Sequence, residues 1–197
     1  LFGDLSLRDD QNAKNRYEND TGGCRLATSV GGTVTGEGGT ACIGDDLHKA
    51  DEATSDPVRT GTIDWFCEAW SSRKRGLQPV EVLVGQRVHE LDVSGYCLKE
   101  RTGYQYLCLP AVCEDDRRCT TYTDDGKEFF HDDRKAGEAL WPVMFSEPKM
   151  REMAPSEYVW NGQYRQTPSS KGGNIVKEAW FQIWSALPTV DDKHPEK

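Results

Sequence analysis

The sequence predicts a mainly β protein with one or two short helices. Three observations lead there. Val80, Val82 and Val84 alternate along one stretch, the period of a strand. Turn signals recur between short aromatic or β-branched runs, at Arg101-Thr102-Gly103, Asp124-Asp125-Gly126 and Asn161-Gly162. Eight of the nineteen glycines fall between Gly22 and Gly44, around Val30, Val34 and Ile43. That spacing suits short strands joined by glycine turns. It does not suit a phosphate-cradling loop, because the Gly-Lys-Ser/Thr ending and the G-x-G-x-x-G order are both missing.

The elements follow in order. Asp9 to Glu18 is polar and suits one or two helical turns. Asp45 to Ala53 reads as a short helix with Asp45 or Asp46 at its N-cap, and His48 within it as a surface histidine. Thr62 to Trp70 is aromatic and predicts a buried strand or a short core helix. Ser71 to Gly76, carrying Arg73-Lys74-Arg75, reads as an exposed loop. Val80 to Leu91 predicts a strand, and Tyr96 to Leu98 with Tyr104 to Leu109 a hairpin. Cys113 to Cys119 is a charged loop. Thr120 to Thr123 and Glu128 to Phe130 form a second hairpin about Asp-Gly. Trp141 to Phe145 and Tyr158 to Trp160 read as short aromatic strands, the latter opening a third hairpin. Ile175, Ala179, Ile183 and Leu187 share a helical face, yet Trp180, Phe181 and Trp184 suit a strand, and strand is preferred. Thr189 to Lys197 is a charged tail, expected to be disordered.

Composition limits the function. The chain has 197 residues, 24 basic and 33 acidic side chains and a formal net charge of −9. An extended nucleic-acid contact needs clustered cations, and so does docking on an anionic membrane. Neither partner is expected. Apolar runs are only a few residues long, so no membrane-spanning helix is predicted. Six Trp, seven Tyr and six Phe can build a compact core in a polar chain, which reads as soluble and globular.

The seven cysteines are Cys24, Cys42, Cys67, Cys97, Cys108, Cys113 and Cys119. None lies beyond Cys119, and no C-x-x-C pair is present. Structural zinc prefers such pairs, so no metal is expected. Disulfides in an oxidising compartment are the expectation, with one thiol left free and the pairing open. A disulfide-rich N-terminal domain over 9–115 is expected, followed by a cysteine-free, β-rich C-terminal domain over 116–197, the border alternatively near 100. Asn19-Asp20-Thr21 is an N-glycosylation sequon, which also fits secretion. No signal peptide stands at Leu1. Leu5-Ser6-Leu7-Arg8 precedes an acidic stretch and suits a basic-residue processing protease, making residues 1–8 a processing-site tail.

Catalytic patterns are missing. There is no Gly-x-Ser-x-Gly elbow and no His-Glu-x-x-His helix. His131-Asp132-Asp133 and Asp124-Asp125 lack the ligand order of a calcium loop and read as solvated turns. Neither an enzyme nor a cofactor is therefore expected. Trp160 and Tyr164, beside Asn161-Gly162, are the candidate stacking platform for a glycan.

A cysteine-bearing, mainly β chain of this length, opened by Leu5-Ser6-Leu7-Arg8, resembles the effectors that pathogenic fungi secrete into plant xylem. It looks most like their dual-domain class, processed by a Kex2-type protease at a Leu-x-x-Arg site. The resemblance implies that Leu5 and Arg8 take the processing positions and that Asp9 becomes the new N-terminus. It implies a cysteine-rich N-terminal domain from Cys24 onward and a β-sandwich C-terminal domain. It further implies a secreted, monomeric virulence or avirulence factor of the host apoplast or xylem. Such a factor acts on a host plant protein or is recognised by an immune receptor. The alternative is a secreted glycan-binding module or small hydrolase.

Overall fold

A computed structural model of the chain describes residues 6–32 and 36–169. Among them lie seven strands in three small sheets and four helices, a mixed α/β arrangement. Strands β1 (Leu7–Asn12), β2 (Arg16–Asn19) and β3 (Cys24–Leu26) form an antiparallel sheet. The polar run after Asp9 is thus strand rather than helix. Strands β4 (Ala41–Asp45) and β5 (Val80–Val84) pair in parallel, with Ile43 opposite Val82. Strands β6 (Thr120–Tyr122) and β7 (Glu128–His131) form the hairpin expected from Asp-Gly, and Gly126 adopts the positive φ of 79° that its turn requires.

A parallel pair needs a crossover, and helix α1 (Asp56–Trp65) supplies it. Asp56-Pro57 opens α1, where a proline loses nothing by lacking an N–H. The chain continues through a wide π-type turn, Phe66–Trp70, into β5. Helix α2 (Val93–Glu100) follows, started by Asp92, whose side chain accepts a hydrogen bond from the Gly95 N–H. Phe66, Val93 and Cys97 form the buried centre, with Leu47, Ile63, Trp70, Leu83 and Tyr96 packed around it. Helices α3 (Glu147–Met153) and α4 (Glu157–Val159) and a second π-type turn, Trp160–Tyr164, complete the described chain.

Three expectations are corrected. Among the described residues no β-sandwich exists. The back half contributes one hairpin, and its aromatic runs coil instead. The Trp141 to Phe145 run closes a turn, the Phe145 N–H donating to the Trp141 carbonyl at 2.8 Å, and the Ser156 side chain accepts from the Val159 N–H, so a local cap starts a helix at Tyr158 where aromatic content suggested a strand. Likewise Tyr96 to Leu98 sit in α2, not in a hairpin. No disulfide links the seven cysteines. Cys24 is exposed on β3, whereas Cys42, Cys97, Cys113 and Cys119 are buried. The buried thiols act as small apolar groups and weak donors: Cys113 Sγ donates to the Arg134 carbonyl at 3.3 Å, and Cys119 Sγ to the Tyr106 carbonyl at 3.3 Å. Leu5 and the stretch from 175 to 197 lie outside the described residues.

Candidate functional site

A parallel pair places the carboxyl ends of both strands together, and crevices form there. At the ends of β4 and β5 the crevice is lined by Gly44, Asp46, His48, Gln86, Asp92 and Ser94. Asp46 stands in the left-handed region with φ 44°, and its N–H extends the ladder to the Val84 carbonyl at 2.9 Å. Its carboxylate receives the Gln86 N–H at 3.4 Å.

Asp92 organises the wall. It is 2% exposed. Its carboxylate accepts from the Arg87 Nε at 3.0 Å, from the Gly95 N–H at 2.7 Å, and from the Val88 and His89 N–H groups at 3.1 and 3.3 Å. His48, expected on the surface, is half-buried instead. Its Nε2 accepts the Val93 N–H at 3.0 Å, so the proton of the neutral ring sits on Nδ1. Burial lowers the His48 pKa, with Arg59 and His89 adding to the effect against Asp92. Asp92 and His48 together hold residues 87–95 on the strand ends.

The inner face of the pair carries a second network. Glu81 accepts from Trp70 Nε1 and from Lys74 Nζ, the latter at 2.8 Å. Burial alone would raise its carboxyl, but hydrogen bonds from Lys74, Tyr104 and Trp70 outweigh that and hold it below its ordinary value. Cys97 lies nearby, and burial pushes its thiol up to about 11, which makes it a poor nucleophile. Arg101 packs over Phe66 and Tyr96 and donates to Ser71 Oγ at 3.3 Å.

The outer face is different. Ala41, Ile43, Val80, Val82 and Val84 all point to solvent, and Ile43 is 65% exposed. Parallel strands are ordinarily covered on both faces. Here Cys42, Gly44, Glu81 and Leu83 face inward, and the valines whose alternation marked the strand face out. Leu77, fully exposed, precedes β5.

The residues singled out from sequence lie elsewhere. Arg8 is exposed on β1 and pairs with Asp10 at 2.8 Å. Asn19 Oδ1 accepts from the Thr21 hydroxyl at 3.0 Å and the Gly23 N–H at 2.6 Å, a closed turn at the end of β2. The expected Trp160–Tyr164 platform is corrected. Trp160 is 3% exposed, with Tyr164 stacked on it at 5.2 Å and the Arg151 guanidinium 3.7 Å from its ring centre, so it presents no free surface to a sugar. The two are brought together by one helical turn rather than by a hairpin. Sequence reasoning missed Asp92, although Asp92-Val93-Ser94-Gly95 before an apolar run is a helix-start signal. It also missed the outward orientation of the valines, for which the sequence carries no signal. No family model, no curated protein and no solved structure matches this chain.

Proposed function

We propose that the chain is a secreted virulence effector that acts on a host plant by binding one of its proteins through the outer face of β4–β5. The exposed apolar face of a parallel strand pair carries this reading. Apolar surface of that kind is a recurrent mark of protein contact. Two strands of five residues present roughly 150 Å² of face, from a strand spacing of about 4.8 Å and a rise of about 3.3 Å per residue. That is well short of the ~800 Å² per partner of a stable dimer, so a second copy is not the occupant the area favours. The face reads instead as the centre of a larger contact. Asp45, Asp46 and Arg75 are exposed at its two ends and supply a polar rim. The Leu5-Ser6-Leu7-Arg8 tetrapeptide, the processing signal of xylem-secreted effectors, supports the host assignment, with processing after Arg8, exposed on β1, as part of the same reading.

The test compares the wild-type protein with Ile43→Lys and Val82→Lys, each infiltrated into leaves and scored for the host response. Both positions are exposed, so both variants should keep the wild-type far-UV spectrum. The response should fall at least tenfold for each. A folded variant that retains the full response would refute the assignment of this face.

A further inference from the structure

Two histidines hold the segment from Arg87 to Val93, and each does so through an unprotonated nitrogen. His48 Nε2 accepts the Val93 N–H at 3.0 Å, and His89 Nδ1 accepts the Leu91 N–H at 3.0 Å. The same segment is the seam to the back of the molecule. The Arg87 N–H donates to Gln166 Oε1 at 2.9 Å, and the Val88 carbonyl accepts from the Tyr158 hydroxyl at 2.7 Å. Gly162 lies so near that a Cβ there would stand 2.7 Å from the Arg87 carbonyl oxygen.

An imidazolium donates from both nitrogens and accepts from neither. Protonating either ring therefore turns a hydrogen bond into two donors facing each other. At His48 it also sets a cation against the N-terminal, positive end of α2. The surrounding charges divide. Around His48, Asp92 favours the cation, while Arg59 of α1 and His89 oppose it. Around His89, Arg59 opposes the cation and Glu90, Asp92 and Asp56 favour it. Asp92 is already committed to Arg87, and Asp56 is paired with Arg59. Arg59 is itself 5% exposed and fixed to the Ala53 carbonyl at 2.8 Å, so it cannot swing away from the two rings. From α4, Tyr158 closes the seam with its neutral hydroxyl.

We infer that His48 and His89 form a pH-sensitive latch: on acidification the 87–93 segment releases residues 157–166, while the β4–β5 pair stays formed. Burial lowers both histidines from the ordinary 6.5. The unfolded or opened chain therefore takes up protons first. The latch is complete above 6.5 and is lost progressively as pH falls below it. The device is independent of what the outer face of β4–β5 binds.

Hydrogen exchange with mass spectrometry tests it, with rates normalised to the intrinsic rate at each pH. Wild type is compared at about pH 7.5 and about pH 5 with the double variant His48→Gln/His89→Asn. Each replacement keeps a neutral acceptor near the nitrogen that it replaces. Protection over 157–166 should fall at least tenfold in wild type and stay unchanged in the variant, with β4–β5 protection retained in both. Equal loss in both proteins, or no loss in wild type, overturns the latch. Histidine titration by NMR on the wild type gives a second readout that does not require the variant to fold. Both rings should titrate below 6.5, and titration of both at or above 6.5 overturns it.

Discussion

Replacing Asp92 by alanine should destabilise this protein more than any surface change. One carboxylate starts α2, receives the Val88 and His89 N–H groups, and neutralises Arg87, whose side chain is only 12% exposed. Losing an N-cap costs about 1 kcal/mol. Leaving one member of a buried ion pair unpaired costs about 3–5 kcal/mol. The two losses overlap, because the same loop relaxes for both, so about 4 kcal/mol is expected rather than their sum. Out of a total stability of about 5–15 kcal/mol that is a large share. Asp92→Asn keeps an acceptor for Gly95 but leaves Arg87 without its counter-charge, so it should spare only the cap and cost about 3 kcal/mol. Urea unfolding followed by far-UV circular dichroism measures both, with midpoint and slope read separately. A loss below ~1.5 kcal/mol for the alanine variant would refute the reasoning. So would an alanine variant as stable as the asparagine variant, since the cap and the backbone acceptor would then contribute nothing.

Two further predictions concern ionisable groups on the inner face. Glu81 is held below its ordinary value of 4.5, so its contribution is complete above 4.5 and is lost as pH falls through the lowered value. Glu81→Gln should therefore be less stable than wild type at neutral pH, and the gap should narrow in thermal melts as pH falls below 4.5; a constant gap would contradict the ion-pair account. In the reduced protein, exposed Cys24 should be alkylated by iodoacetamide well before Cys97, whose thiol is buried and raised to about 11; peptide mass spectrometry after brief labelling would expose the opposite order.

Local signals in the chain determined part of this structure. Asp124-Asp125-Gly126 between β-branched and aromatic runs makes the β6–β7 hairpin, because that turn needs a residue tolerant of positive φ. The valine alternation marks β5, and charge with hydropathy sets the surface character. Helix starts were also legible: Ser55-Asp56-Pro57 and Ser146-Glu147-Pro148 repeat one pattern, a proline in the first turn, and each opens a helix. Strand preference reflects a half-buried, pleated setting more than an intrinsic backbone bias, so Tyr96 and Trp160 coil once a cap nucleates the turn. Only the tertiary structure decided which face of β4–β5 is covered. Alternation defines two faces but not which one meets the core, and here Phe66 and Leu83 lie on the side opposite the valines. It likewise decided the role of His48, whose acceptor bond to Val93 joins residues 45 positions apart. A hydrogen bond between distant segments leaves no periodicity behind it, so the chain alone shows a histidine and the fold makes it an acceptor.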